Sequence, residues 1–135
     1  MAPPSRHLLV VDDEPHIGLL LRPHLERMGY RVSLARNLAD ARDVLRSRTA
    51  PVHGLLLDLH LPDGSGLDLL REIRASPEQK GLPVLVLTAE GEERILTAVR
   101  QLDASLFTKP FSPSKLTSRV AVMMGDAPAD REPVP

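Results

Sequence analysis

The amino-acid sequence predicts an α/β fold in which a parallel β-sheet is covered by helices on both faces. Three apolar runs of strand length support this, at Leu8–Val11, Leu55–Leu57 and Val84–Leu87. Each run is followed by a segment whose apolar residues fall at helical spacing, and such strand–helix units occur five times along the chain. Crossovers of this length make consecutive strands parallel and place helices on both sides of the sheet.

The first strand, Leu8–Val11, ends in acidic residues, and a helix follows it. The acids are Asp12, Asp13 and Glu14, and the helix has apolar positions at Ile17, Leu20, Leu21, Leu25 and Met28 before Gly29 ends it. Pro23 inside this helix removes a backbone donor, so a kink is expected there.

The second strand should lie at an edge of the sheet. Residues 30–36 alternate, with Val32 and Leu34 on one face, as a strand with one solvated face does. Asn37, followed by Asp40, is predicted to cap the next helix.

The third strand is continuously apolar, which indicates burial on both faces, and it ends on a single acid, Asp58. Pro62, Gly64 and Gly66 are turn residues, and Ser65 is predicted to cap the third helix. Asp58 is therefore delivered to a loop at the rim of the sheet, where open α/β sheets bind their ligands.

The fourth strand ends at Thr88, and a short fifth strand at Ser105–Thr108 precedes Lys109 and Pro110. Ser112 followed by a proline is predicted to begin the last helix. The alternating strand belongs at an edge and the continuous runs belong in the middle. We therefore predict a flavodoxin-like three-layer sandwich, (βα)5, with strand order 2-1-3-4-5.

Composition sets the broad class of the protein. The 135 residues carry 17 basic and 18 acidic side chains and no cysteine. A net charge of −1 gives no indication of a nucleic-acid or anionic-membrane partner. No apolar run approaches the roughly 20 residues of a membrane span, and the N-terminus lacks a signal-peptide pattern, so a cytoplasmic domain is expected. We predict one domain over residues 1–124, and a disordered tail or the start of a linker over 125–135.

The polar residues at the strand ends should meet at one edge of the sheet, because parallel strands all end on the same side. They are Asp12, Asp13, Asp58, Thr88 and Lys109. Three carboxylates in one crevice repel each other, and a hard divalent cation such as Mg²⁺ relieves that repulsion. With a hydroxyl donor and an ammonium added, the crevice suits a transferring phosphoryl group.

In their order along the chain, Asp12-Asp13, Asp58, Thr88-Ala89 and Lys109-Pro110-Phe111 resemble the receiver domain of bacterial two-component response regulators, over residues 7 to 124. The resemblance implies that Asp58 accepts a phosphoryl group from phosphohistidine on a sensor histidine kinase or a histidine phosphotransfer protein.

The resemblance also implies roles for the neighbouring residues. Asp13, Asp58 and the backbone carbonyl of His60 would bind Mg²⁺ directly, and Asp12 would act through a water molecule. Lys109 would pair with a phosphoryl oxygen, and Thr88 would donate a hydrogen bond to the phosphoryl group near the Ala89 amide. A cis Lys109–Pro110 bond is predicted as well.

A phosphorylation-controlled switch is the leading interpretation. The fourth helix, last strand and last helix would change arrangement, and a downstream protein or an output domain would recognise that face, with a phosphorylation-dependent dimer as a further possibility. The domain would phosphorylate and dephosphorylate itself without being a turnover enzyme. One alternative is a Mg²⁺-dependent phosphatase with an aspartyl nucleophile, which would need a second acid where His60 stands. The other is a pseudo-receiver that only binds partners.

Two questions stay open at this level. The family usually has an aromatic residue three positions before the lysine, but Leu106 stands there and Phe107 follows. Either the aromatic switch is missing or the preceding loop is one residue short; strand alternation places Phe107 on the face opposite to Leu106. Both a stand-alone regulator and a receiver cut from a longer protein are compatible with the sequence.

Overall fold

The computed structural model describes residues 6–89 and 91–126, and these form alternating strands and helices. In chain order they are β1 (His7–Val11), α1 (Pro15–Arg27), β2 (Arg31–Ala35), α2 (Leu38–Arg46), β3 (Gly54–Asp58), β4 (His60–Leu61), β5 (Gly64–Ser65), α3 (Gly66–Ala75), β6 (Val84–Thr88), α4 (Glu93–Gln101), β7 (Ser105–Thr108) and α5 (Pro113–Met123).

The main sheet has five parallel strands in the order β2-β1-β3-β6-β7. This confirms the predicted 2-1-3-4-5 order, because β4 and β5 form a separate two-stranded hairpin. The alternating strand β2 lies at an edge, and the continuous apolar strands β1, β3 and β6 are fully buried in the middle.

The core consists of two apolar layers, one on each face of the sheet. Alternate strand residues contribute to opposite layers, as the two-residue period of a strand requires. One layer packs against α2, α3 and α4 and includes Leu9, Val11, Leu55, Leu57 and Val86. The other packs against α1 and α5 and includes Leu8, Val10, Leu56, Leu85 and Leu87. The helices therefore cover both faces and leave the strand ends at the two rims.

The predicted helix caps are confirmed at three positions. The side chains of Asn37, Ser65 and Ser112 accept hydrogen bonds from backbone N–H groups in the first turns of α2, α3 and α5. α1 continues through Pro23, whose ring lies on the exposed side of the helix.

The hairpin of β4 and β5 was not predicted. Its sequence has the composition of a turn, and strands of two residues are too short to show a period of two. His60 pairs with Ser65 and Leu61 pairs with Gly64 in antiparallel fashion.

The predicted opposite orientations of Leu106 and Phe107 are confirmed. Leu106 packs on the layer that contains α4, whereas Phe107 packs on the layer that contains α1 and α5. The Phe107 ring lies 5.9 Å from that of Phe111. The aromatic side chain of β7 is therefore directed away from α4.

The C-terminal end of the described chain is fixed to the rim at the amino ends of the strands. Asp126 accepts a hydrogen bond from the Tyr30 hydroxyl at 2.7 Å and forms an ion pair with Arg6. The remainder of the predicted tail, residues 127–135, lies outside the described residues. Within the described chain, every helix is too short or too polar to cross a bilayer.

Candidate phosphoryl-transfer site

The site lies at the carboxyl ends of the central strands. Asp12 directly follows β1, Asp58 is the last residue of β3, Thr88 is the last residue of β6, and Lys109 directly follows β7. Because these strands are parallel and adjacent, their last residues meet at one rim of the sheet. The fold thus brings together the side chains that the sequence predicted to converge.

Three carboxylates form the acidic part of the site. Asp12, Asp13 and Asp58 each offer an oxygen, and these oxygens lie within 4.8 Å of one another. Asp12 and Asp58 are buried, while Asp13 is exposed at the mouth of the site. Hard oxygen ligands at this mutual distance, with one side open for water and substrate oxygens, fit Mg²⁺.

Lys109 supplies the positive charge of the site. Its Nζ lies 2.8 Å from Oδ2 of Asp12, 3.3 Å from Oε1 of Glu14 and 3.6 Å from Oδ2 of Asp58. The Glu14 contact was not predicted, because an acid in the first residues before a helix is already explained by the helix dipole. The three aspartates and Lys109 together carry a net charge of −2, which one divalent cation would neutralise.

Burial and charge shift the pKa values of the two central groups. Burial raises the pKa of the Asp58 carboxyl group, the neighbouring charge of Asp12 raises it further, and Lys109 opposes both without cancelling them. For Lys109, burial by itself lowers the pKa of the ammonium group. The hydrogen bonds and charges of Asp12, Asp58 and Glu14 outweigh burial, so that the pKa is raised and the lysine stays charged.

The loop after Asp58 is closed at its base. The N–H of Gly66 donates to the carbonyl of Leu59 at 2.8 Å, and a Cβ atom at Gly66 would collide with the carbonyl oxygen of Asp58. The N–H of His60 makes a long contact of 3.4 Å with Oδ1 of Asp58. The His60 side chain is exposed in β4, and its backbone N–H faces the carboxylate.

Thr88 and the segment after β7 complete the site. Thr88 is fully buried, its carbonyl accepts a hydrogen bond from the N–H of Lys109 at 2.9 Å, and Ala89 beyond it is exposed. The Lys109–Pro110 peptide bond is cis, which confirms the prediction.

Comparison with known proteins identifies the class that this fold and site define. The family model described as the response regulator receiver domain matches residues 8–121, and the chain belongs to that family. Receiver domains are signalling domains of two-component systems.

Individual relatives agree with this assignment. The chain is 38% identical to the transcriptional regulatory protein ResD of Bacillus subtilis, over 87% of this chain and 47% of that protein. It is 32% identical to the chemotaxis protein CheY1 of Helicobacter pylori, over 87% of this chain and 96% of that protein.

A solved receiver domain shows how a related site is occupied. The receiver domain of the sensor histidine kinase PA1611 from Pseudomonas aeruginosa is 28% identical to this chain, with a TM-score of 0.76 over 90% of this chain and 98% of that one. That structure holds a magnesium ion in its active-site cleft.

The relatives differ in how much of their length the match covers. The chain spans about half the length of the first transcriptional regulators that it matches, but nearly all of the chemotaxis protein.

Proposed function

We propose that this chain is a phosphorylation-activated receiver in which Asp58 accepts a phosphoryl group from phosphohistidine. The observation that carries the proposal is the cluster of Asp12, Asp13 and Asp58 oxygens beside the Nζ atom of Lys109, at the rim of a receiver fold. An oxygen of the Asp58 carboxylate would attack phosphorus, the P–N bond would break, and an acyl phosphate would form.

Asp13, Asp58 and the backbone carbonyl of His60 would hold Mg²⁺, and Asp12 would contribute through a water molecule. When bound, the ion supplies charge that balances the phosphoryl oxygens during transfer. The donor set supports this, since all the side-chain ligands are hard oxygens within one small cluster.

The remaining work falls to the chain's own side chains. Burial leaves the Asp58 carboxylate poorly solvated, which favours its reaction as a nucleophile once it is ionised. Lys109 stands 3.6 Å from that carboxylate and would transfer its pairing from Asp12 to a phosphoryl oxygen. The Thr88 hydroxyl would donate to another phosphoryl oxygen, close to the Ala89 amide.

The conformational response would involve α4, β7 and α5. α4 buries little of its surface, because Val99 is its one fully buried residue and no side chain among the described residues caps its N-terminus. Elements with little buried apolar surface open at low cost in free energy. A hydrogen bond from Thr88 to the phosphoryl group would alter the end of β6, which precedes α4, and would change the face that a partner recognises.

The phosphoryl donor would be a sensor histidine kinase or a histidine phosphotransfer protein, as membership of the receiver family supports. The recipient of the signal would be a downstream protein or an output domain of the transcription-regulator kind found in several relatives. In this role the domain turns over its own acyl phosphate and no external substrate.

Labelling with acetyl phosphate tests the phosphoacceptor. The wild-type chain is expected to gain one acid-stable, hydroxylamine-labile adduct in the presence of Mg²⁺ and essentially none with a chelator, as measured by intact-protein mass spectrometry. Asp58→Asn is expected to abolish the adduct. Asp68→Asn, which removes an exposed carboxylate of α3 away from the site, is the matched control and should label normally.

The proposal would be contradicted if the wild-type chain never gained the adduct, or if Asp58→Asn gained it to the same extent as the wild type. Sustained release of phosphate from a small phosphoester would instead favour an aspartyl phosphatase.

Sedimentation velocity before and after labelling tests whether the phosphorylated form dimerises.

A further inference from the structure

Asp63, at the tip of the loop that follows Asp58, is bonded to a different part of the fold. Its Oδ1 accepts a hydrogen bond from the Leu38 N–H at 2.8 Å, and its Oδ2 accepts one from the Ala39 N–H at 3.0 Å. These amides belong to the first two residues of α2, so one carboxylate spans two donors at a helix N-terminus. That geometry suits an ionised acid, and the hydrogen bond from Leu38 is the main reason why the pKa of Asp63 is lowered.

α2 already has a cap of its own. Asn37 accepts a hydrogen bond from the Asp40 N–H at 2.7 Å through its side chain. Asn37 and Asp63 therefore satisfy different donors of the same helix end. Only one of the two, Asp63, links that helix to another segment, 24 or 25 residues further along the chain.

The contact fixes the tip of a loop whose base is fixed separately. At the base, Gly66 donates to Leu59, and at the tip the backbone passes so close to α2 that a Cβ atom at Gly64 would lie 2.9 Å from the Leu38 side chain. Gly64 has a φ of 149°, in a region that other residues rarely adopt. The antiparallel pair of β4 and β5 joins the tip to the base.

We propose that Asp63 is a positioning residue for the phosphoryl-transfer site. It holds the loop 59–65 against α2, and thereby holds the backbone carbonyl of His60, three residues before it, next to Asp58. This inference rests on the proposed function, because the His60 carbonyl matters only if the site binds Mg²⁺. α2 acts as the fixed support, since Leu38 and Ala41 bury it in the core.

A merely structural role would give a different result. If Asp63 served only as a second cap of α2, its loss would weaken the helix as the loss of Asn37 does and would leave the metal site unchanged. If Asp63 positions the loop, its loss releases the tip, and each metal-binding event must then order the loop again. Removal of a group that orients a metal ligand without itself binding the metal typically weakens metal affinity ten- to a hundredfold.

The experiment compares Asp63→Ala with Asn37→Ala in the full chain, at a temperature where thermal denaturation shows both variants to be folded. Mg²⁺ binding is measured by calorimetry, and amide hydrogen exchange is measured by NMR in the Mg²⁺-free protein. For Asp63→Ala we expect Mg²⁺ binding to weaken about tenfold and the amides of residues 60–66 to exchange faster. For Asn37→Ala we expect faster exchange at Asp40, with Mg²⁺ affinity and the loop unchanged.

Asp63→Asn keeps a side-chain acceptor and is expected to recover part of the Mg²⁺ affinity. Equal Mg²⁺ affinity in wild type, Asp63→Ala and Asn37→Ala would overturn the inference, as would unchanged exchange over residues 60–66 in Asp63→Ala. Failure of the proposed function is distinct from this result, because the wild-type chain itself would then neither bind Mg²⁺ nor label with acetyl phosphate.

Discussion

Asp58 is a carboxylate that the fold places in an unfavourable environment. It is 5% exposed, it lies beside Asp12, and its nearest counter-charge, Lys109, is 2.8 Å from Asp12 but 3.6 Å from Asp58. Burial of an ionised acid whose counter-charge is shared with a neighbouring acid costs free energy, which the raised pKa of Asp58 reflects. The protein tolerates this cost at the carboxylate to which the proposed function assigns the phosphoryl group.

Replacement of that acid should therefore stabilise the metal-free protein. The pKa of Asp58 is higher in the folded than in the unfolded chain, so ionised Asp58 opposes folding at neutral pH, and the penalty disappears below the unfolded-state pKa. Asp58→Asn is expected to raise the free energy of unfolding at pH 7 by about 1 kcal/mol. The gain should shrink as the pH falls through the pKa of folded Asp58, as urea titrations at several pH values would show.

The same measurement with Asp68→Asn is the control, because that exposed acid should change stability by less than about 0.5 kcal/mol. A loss of stability in Asp58→Asn at pH 7 would contradict the electrostatic account. Addition of Mg²⁺ should stabilise the wild type and leave Asp58→Asn nearly unaffected.

The positions of single site residues could be predicted where the order of the strands fixes them. They could not be predicted where a contact between distant parts of the chain fixes them. Asp12, Asp58, Thr88 and Lys109 follow from the rule that parallel strands end at one rim. The tie between Asp63 and α2 does not, because it joins segments about 25 residues apart through side-chain oxygens, and a turn acid before a glycine has an ordinary local explanation.

At the level of the elements, β3 and α3 approach each other closely at Gly66. A methyl group on Gly66 would collide with the backbone carbonyl of Asp58. A flexible side chain could move out of the way, but the backbone of a strand cannot. The packing of α3 against the end of β3 therefore sets where Asp58 lies.

Gly66→Ala should damage both stability and reactivity. We expect the free energy of unfolding to fall by about 1–3 kcal/mol, because overpacking forces the backbone to shift, and we expect slower labelling by acetyl phosphate, because Asp58 shifts with it. Gly81→Ala is the matched control, since a Cβ atom there meets nothing within 4 Å, and it should be neutral or slightly stabilising. Equal stability of the two variants in urea would refute the close approach.

Arg74 joins α3 to two further segments of the fold. Its guanidinium group donates to the carbonyls of Leu102 at 2.6 Å, Leu82 at 2.7 Å, Lys80 at 2.9 Å and Asp103 at 3.0 Å. The end of α3 is thus linked to the segment before β6 and to the turn between α4 and β7. Asp103 in that turn has a left-handed backbone with a φ of 54°, and its carbonyl is one of the four that Arg74 contacts.

Arg74→Ala is expected to lower the free energy of unfolding by about 2–3 kcal/mol, because carbonyls in a partly buried place lose a charged donor. Arg71 lies about one helical turn before Arg74, on the exposed side of α3. Arg71→Ala removes only an exposed ion pair with Asp68 and should cost less than about 1 kcal/mol. Thermal or urea denaturation of the two variants distinguishes these outcomes. Equal effects would mean that the four hydrogen bonds of Arg74 add nothing.

Most elements were predictable because their signals are local. Asn37, Ser65 and Ser112 begin helices at the predicted positions, and the last strand has its predicted bounds. The hairpin of β4 and β5 was missed because each strand has only two residues, too few to show an alternating pattern, in a segment with the composition of a turn.

Over the whole molecule, the two apolar layers differ in which helices and which side chain of β7 they contain. α1 and α5 share one layer with Phe107 and Phe111, whereas α4 meets the other layer beside Leu106. An aromatic side chain that rotates inward beneath α4 is therefore not available from β7 within the described residues. The side chain of β7 that packs in the same layer as α4 is the aliphatic Leu106, and β7 pairs with β6 from Leu85 to Thr88.

The anchoring of Asp126 by Tyr30 and Arg6 has a practical consequence for engineering. A fluorescent reporter or a foreign effector module fused after this residue would leave from the pole opposite to the candidate site. Such a chimera should leave the approach of a bulky donor unobstructed, and its signal would have to cross the full length of the strands to reach the attached module.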